Sequence, residues 1–156
     1  MKEIKKVLFV CNSGTARGPM AMAIFLATPR KRQYIAEARG IVVQFPEPLN
    51  QKAEAVLISN GNELKEYSTK KLLDSEITED TLIVTFEESH RNKIISEYSA
   101  ANEENTILLN EFVGDELEVV DPYGGPIQTY GLCYEVLKVS IEKLMRKLEE
   151  AYDKLS

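Results

Sequence analysis

Residues 7–19 have the sequence Val-Leu-Phe-Val-Cys-Asn-Ser-Gly-Thr-Ala-Arg-Gly-Pro, and the prediction of the fold starts from them. Its first four residues are apolar and two of them are β-branched, which is typical of a buried strand. Small and polar residues follow, and Pro19 suits the first turn of a helix that good helix formers continue to Ala27. The stretch therefore predicts a strand, a tight loop and a helix in direct succession.

The loop has the pattern Cys-x5-Arg, from Cys11 to Arg17. Five intervening residues can curl so that successive backbone N–H groups point inward, and the helix N-terminus adds to the positive field. The Arg17 guanidinium closes this ring with a planar fork that matches two oxygens of a tetrahedral oxyanion. We therefore predict a phosphate-binding loop. Its other members are Asn12, Ser13, Gly14, Thr15, Ala16 and Gly18.

Cys11 is expected beneath the centre of this ring. The helix N-terminus and the Arg17 guanidinium both favour a thiolate, so we expect the pKa of Cys11 to lie below the usual value of ~8.5. A nucleophilic thiolate beneath a bound phosphoryl group is a phosphatase arrangement. A cysteine at the end of a buried strand can also be a small core residue. The strand before the loop and the helix after it favour the catalytic interpretation.

Composition and charge narrow the class of protein. The chain has 156 residues, 44% hydrophobic and 28% charged, which predicts one globular domain, 1–156. A net charge of −6 argues against binding to nucleic acid. Cys11, Cys133 and the single histidine, His90, form no metal-ligand pattern. The apolar run before Asn12 is too short for a signal peptide or a membrane span, so we expect a cytoplasmic protein with no membrane partner.

Predicted strands alternate with predicted helices along the chain, which indicates a parallel sheet with helices on both faces. Ligands of such sheets bind beyond the carboxyl ends of the strands, where the Cys11 loop begins. Between the strands we expect an irregular loop at 38–48 and a short helix near Leu72 and Ile77. The predicted strands are 7–10, 34–36, 81–86 and 106–109, and the main predicted helices are 20–27, 49–59, 89–98 and one that starts at Pro126.

Cleavage of a phosphate ester also needs a proton donor for the leaving oxygen, and Asp121 is the best candidate. The proline after it stiffens the chain, whereas Gly124 and Gly125 permit a turn before the last helix. The same pattern also occurs in ordinary turns. Tyr123, beside the acid, and Phe45 are candidates for aromatic side chains that line the substrate site.

Two motifs together resemble the low-molecular-weight protein tyrosine phosphatases: Val-Cys-x5-Arg-x-Pro at 10–19 and Asp-Pro-Tyr-Gly-Gly-Pro-Ile-Gln-Thr-Tyr at 121–130. The resemblance implies a three-layer sandwich with a four-stranded parallel sheet, and no metal or other cofactor. It implies hydrolysis of protein phosphotyrosine through a cysteinyl-phosphate. Cys11 would be the nucleophile, Arg17 would hold the phosphoryl oxygens, and Asp121 would first protonate the leaving group and then activate water.

The loop departs from the family pattern at three positions. Gly14 stands where the family usually has Asn, Gly18 where it usually has Ser, and Ala16 where many members have a second Cys. Glycine adopts the left-handed conformation needed at position 14 without strain, but the hydrogen bonds of the Asn side chain are lost. These changes do not alter the predicted type of reaction, but they bring the catalytic efficiency of the protein into question.

Three other functions stay open. Thr15 matches family members that act on phosphoarginine, which indicates a protein-arginine-phosphatase of the same fold. The altered loop is also compatible with a catalytically weak sensor or adaptor that binds inorganic phosphate or another oxyanion. The third alternative, an arsenate reductase, would need two relay cysteines between Ser75 and Arg91, and this chain has none there.

Overall fold

Four strands form one parallel sheet in the computed structural model, which describes residues 3–155. The strands are β1 (Lys6–Cys11), β2 (Ile35–Gly40), β3 (Thr81–Thr85) and β4 (Thr106–Leu108). Their order across the sheet is β2-β1-β3-β4, so β1 pairs with β2 on one side and with β3 on the other. Because β2 and β3 lie on opposite sides of β1, the connections that leave β1 and β2 run in opposite directions across the sheet. The carboxyl end of β1 therefore lies at a topological switch point.

Helices cover both faces of this sheet. They are α1 (Arg17–Ala27), α2 (Gln51–Ser59), α3 (Glu88–Glu97), α4 (Leu109–Val113) and α5 (Ile127–Leu155). Successive side chains of β1 point to opposite faces of the sheet, so they contribute to two layers of the core. Val7 and Phe9 pack on the side of α1, α2 and α5, whereas Leu8 and Val10 pack on the side of α3. The predicted α/β sandwich with a loop after the first strand is confirmed. No helix among residues 3–155 is both long and apolar enough to cross a bilayer.

The boundaries of several elements differ from the predicted ones. Helix α1 begins at Arg17 rather than near Pro19, so the guanidinium belongs to the first helical residue. Strand β2 continues to Gly40 because its backbone pairs with β1 as far as Cys11, so the predicted loop 38–48 begins too early. The helix predicted near Leu72 is only a 3₁₀ turn, Asp74–Glu76. Helix α4 was not predicted, because its five residues are too few to show a helical period.

Candidate active site

Carbonyl groups of the loop after β1 point away from its centre and accept hydrogen bonds from neighbouring segments. The carbonyl of Asn12 accepts from the backbone N–H groups of Ile41 and Val42, at 2.9 Å each. The carbonyl of Thr15 accepts from the N–H of Asn50 at 2.9 Å. Since the C=O and N–H of one trans peptide point in opposite directions, the N–H groups that follow these carbonyls face the interior of the loop. This is the concave anion-binding geometry that the spacing predicted.

Cys11 is the last residue of β1 and is buried under this loop. Burial raises the pKa of its thiol above the ordinary value. Hydrogen bonds from the Gly18 and Gly14 N–H groups and the positive charge of Arg17 lower the pKa, but by less. The direction is the reverse of the one predicted from sequence. The predicted influences are present, but removal of the thiol from water outweighs them.

Arg17 connects the loop to two distant segments. Its side chain is only 3% exposed, and Nη1 donates to the carbonyl of Val119 at 2.8 Å. Nη2 donates to Oε2 of Glu87 and lies 3.7 Å from Oδ2 of Asp121. The guanidinium therefore meets two carboxylates and one carbonyl, and a buried charge needs such partners.

Asp121 lies beside the same pocket, on the segment that precedes α5. Its Oδ1 accepts a hydrogen bond from the N–H of Tyr123 at 3.1 Å, which folds the segment into a tight turn. Its Oδ2 faces Arg17, and its side chain is about half exposed. The structure thus brings Asp121 to the Cys11 loop, as the search for a proton donor predicted.

The pocket above Cys11 has a volume of about 590 Å³. Tyr123 stands at its rim with 80% of its surface exposed. Phe45 does not line this pocket. It is 64% exposed and lines a different groove with Arg39 and Lys70, whereas Glu47 and Pro48, a few residues later in the chain, line the pocket above Cys11. The structure therefore places Tyr123, but not Phe45, at the pocket above Cys11.

Sequence reasoning missed a carboxylate, Glu87, that binds Arg17. It follows β3 by two residues, and the rule that sites form at the carboxyl ends of parallel strands could have found it. Burial raises the pKa of Glu87, but the hydrogen bond and charge of Arg17 outweigh it and hold the pKa below the ordinary value. His90 Nε2 lies 3.8 Å from Glu87 Oε2, and burial lowers the pKa of this histidine. Glu87 therefore carries a negative charge that partly neutralises Arg17.

Two glycines allow β2 to approach the loop closely. Gly14 has φ +77°, and a Cβ there would lie 3.2 Å from the Gly40 nitrogen. A Cβ on Gly40 would lie 2.8 Å from the carbonyl carbon and oxygen of Ser13 and 2.6 Å from a methyl of Val43. Such distances require the backbone to move. The loop is therefore packed directly against the end of the neighbouring strand.

Comparison with known proteins identifies the family. A family model described as low molecular weight phosphotyrosine protein phosphatase matches residues 6–154. The chain belongs to this family. Members are cysteine-dependent phosphatases, which agrees with a buried cysteine below a loop of inward N–H groups.

Relatives in this phosphatase family differ in the substrate that their names give. The chain is 30% identical over 139 residues to low molecular weight protein-tyrosine-phosphatase PtpB of Staphylococcus aureus, over 89% of this chain and 96% of that protein. It is 28% identical over 145 residues to a protein-arginine-phosphatase of Geobacillus stearothermophilus, over 92% of this chain and 96% of that protein.

Solved structures give the same two groups of phosphatases. A low molecular weight protein tyrosine phosphatase from T. tengcongensis superposes with a TM-score of 0.83 at 30% identity, over 92% of this chain and 99% of that one. The YwlE arginine phosphatase from Geobacillus stearothermophilus superposes with a TM-score of 0.84 at 26% identity, over 96% of both chains.

The substitution Gly40→Ala tests whether this phosphatase loop depends on close packing against β2. The added methyl displaces Ser13, so we expect the affinity for inorganic phosphate to fall about tenfold or more, since small misplacements in a site have large effects. Phosphate titration by calorimetry measures it. Gly131→Ala is the control, because the added methyl in the second turn of α5 would meet no atom within 4 Å beyond its chain neighbours and the backbone of its own helix. The control should keep its phosphate affinity and gain about 0.5–1 kcal/mol of stability. An unchanged phosphate affinity in Gly40→Ala would contradict the role of this contact.

Proposed function

We propose that this protein is a protein-tyrosine phosphatase that forms a cysteinyl-phosphate, with the whole chain, 1–156, as a single domain. One observation carries the proposal: Arg17 bonds the carbonyl of Val119 and approaches Asp121 while it closes the loop over Cys11. A nucleophile, an anion site and a proton donor consequently border one pocket. These are the three groups that hydrolysis of a phosphate ester requires.

The first step forms the phosphoenzyme. The phosphoryl oxygens accept hydrogen bonds from the inward N–H groups of the loop and from the guanidinium of Arg17. The Cys11 thiolate, whose proton has gone to solvent, attacks phosphorus through Sγ, the bond from phosphorus to the phenolic oxygen breaks, and Asp121 gives its proton to that oxygen. The reactive thiolate must form against the effect of burial, and the N–H groups of Gly14 and Gly18 are the groups that reduce this effect.

The second step releases inorganic phosphate. The Asp121 carboxylate left by the first step accepts a proton from a water molecule as the water oxygen attacks phosphorus. The bond from phosphorus to Sγ breaks and regenerates Cys11. One residue thus serves as acid and then as base, so the donor must stay near water, and Asp121 is about half exposed.

The position of Tyr123 favours an aromatic substrate. Its ring is exposed at the rim of the pocket, close to the acid that would protonate a phenolic leaving group. A phenyl ring that enters above Cys11 can pack against it. A cytoplasmic location is part of the proposal, because a catalytic thiol must stay reduced.

The deciding experiment measures steady-state hydrolysis of a phosphotyrosine peptide by wild type and Cys11→Ser. We expect turnover by the wild type and none by the variant, which should still bind phosphate because the loop N–H groups remain. Cys133→Ala is the control, since Cys133 is buried in α5 and burial raises its pKa to about 12. Phosphate binding without turnover of any phosphorylated substrate would instead identify a sensor or adaptor.

Replacement of Asp121 by Asn tests the proton donor. We expect kcat/KM for phosphotyrosine, which reports only the first step, to fall by roughly 10²–10⁴-fold. The loss should be much smaller for 2,4-dinitrophenyl phosphate, whose leaving group needs no proton. Measurement of both substrates with each protein gives the ratio. An equal loss on both substrates would show that Asp121 is not the acid.

A protein-arginine-phosphatase is the second candidate, and two residues of the pocket favour it. Thr15 lines the pocket, with its hydroxyl oxygen 2.8 Å from that of Ser13. Glu47 also lines the pocket, and a carboxylate there can attract the guanidinium of phosphoarginine. The relatives named as arginine phosphatases agree with this alternative.

Thr15→Ile distinguishes the two substrates. A larger aliphatic side chain fills the space beside the loop, so we expect the ratio of kcat/KM for phosphotyrosine to kcat/KM for phosphoarginine to rise about tenfold or more. Thr15→Ser, which keeps the hydroxyl, should leave the ratio near that of wild type. A ratio that is the same in all three proteins would remove Thr15 as a determinant of specificity.

A further inference from the structure

We propose that Tyr67 is a positioning residue, whose hydroxyl holds the Gly14–Thr15 peptide so that the Thr15 N–H points into the phosphate site. The proposal rests on the phosphate-binding loop of the proposed function. It assigns a residue outside both sequence motifs to the construction of that loop.

The proposal rests on a hydrogen bond of 2.6 Å, which the Tyr67 hydroxyl donates to the carbonyl oxygen of Gly14. Tyr67 is not among the residues that line the pocket above Cys11, whereas Thr15 is. The Gly14 carbonyl therefore points away from the pocket. Because the peptide is planar and trans, the Thr15 N–H on its other side points toward the pocket.

Gly14 makes this peptide easier to turn than its neighbours. Glycine has a broad conformational range, so the backbone at Gly14 can leave φ +77° with little steric resistance from a side chain. The outward carbonyls of Asn12 and Thr15 accept bonds from backbone N–H groups, but that of Gly14 accepts one from a side chain. The hydroxyl of Tyr67 is thus the group that opposes rotation of the Gly14–Thr15 peptide.

Rotation of this peptide would harm anion binding in two ways. It would remove the Thr15 N–H from the set of inward donors. It would also turn the Gly14 carbonyl oxygen toward Sγ of Cys11 and toward the phosphoryl oxygens, where its partial negative charge repels both. A single hydrogen bond at the outside of the loop therefore affects both phosphate affinity and the thiolate.

Tyr67 is itself held in place by its neighbours. Ser68 forms an isolated antiparallel bridge with Pro48, and the N–H of Thr69 donates to the carbonyl of Glu47 at 2.9 Å. The hydroxyl of Thr69 accepts a bond from the N–H of Glu47 at 2.9 Å. Burial raises the pKa of the Tyr67 phenol, so the hydroxyl stays protonated and remains a donor at physiological pH.

The test compares Tyr67→Phe with a matched control, Tyr98→Phe. Each substitution removes one phenolic hydroxyl that donates to a backbone carbonyl, since Tyr98 donates to Leu72 at 2.9 Å on the other face of the sheet. The readouts are affinity for inorganic phosphate, the pH profile of Cys11 alkylation by iodoacetamide, and kcat/KM. Peptide mapping separates alkylation of Cys11 from that of Cys133.

For Tyr67→Phe we expect about tenfold weaker phosphate binding and a fall in kcat/KM of about 10–100-fold, less than the roughly 10²–10³-fold loss in kcat when one oxyanion donor is removed outright, because the Thr15 N–H is loosened but still present. The midpoint of Cys11 alkylation should move to higher pH, because the thiolate loses favourable dipoles. Tyr98→Phe should show none of these changes, although both variants lose similar thermal stability. Equal phosphate affinity and equal alkylation profiles in the two variants would overturn the proposal.

A second measurement needs no variant. In the wild-type protein, the amide proton of Thr15 should shift downfield in nuclear magnetic resonance spectra when inorganic phosphate is added, because it becomes a donor to the anion. An unshifted Thr15 amide would also overturn the proposal. Phosphate affinity and alkylation do not require turnover, so failure of the phosphatase proposal would be seen separately, as a wild type that binds phosphate without hydrolysing substrates.

Discussion

The guanidinium of Arg17 is the group on which the rest of the site depends. It belongs to the first residue of α1, yet its bonds reach the end of β3 through Glu87 and the segment before α5 through Val119. A charge that is buried so completely is stable only when such partners surround it. Formation of the sheet brings these partners together, and Arg17 in turn holds the acid segment near Cys11.

The surroundings of Arg17 are less positive than one would expect of a site that binds an anion through an arginine. Glu87 and Asp121 offset the charge of Arg17, and burial opposes ionisation of Cys11. In the proposed function, backbone N–H groups therefore carry much of the attraction for the phosphoryl group, since they add positive potential without a counterion. This explains why so many hydrogen bonds of the surrounding chain are directed at the outside of the loop. In the proposed site these hydrogen bonds keep the carbonyl groups of the loop turned away from the anion.

Local sequence was sufficient for much of this description. The apolar run of β1, the Cys-x5-Arg spacing and the Asp-Pro turn each act over a few residues, so their patterns predicted the loop and the candidate acid. The alternation of strands and helices likewise predicted the sheet. Phe45 shows the limit of this reasoning, because a residue in an irregular loop has no period that fixes its direction. The position of Glu87 after β3 could have marked it as a site residue, but its bond to Arg17 and that of Tyr67 to Gly14 join residues far apart in sequence, so only the tertiary structure shows them.

Sequence alone was enough for the fold class and for the position of the loop at the end of β1, and it predicted Cys11, Arg17 and Asp121 as the reacting groups of the proposed function. These follow from spacing and hydrophobic pattern, which are local properties of the chain. Tertiary structure alone decided the direction of the Cys11 pKa shift, the partners of Arg17 and the approach of Gly40 to Ser13. Burial, the direction of each carbonyl and the meeting of distant charges depend on how the layers pack, and no short stretch of sequence contains that information.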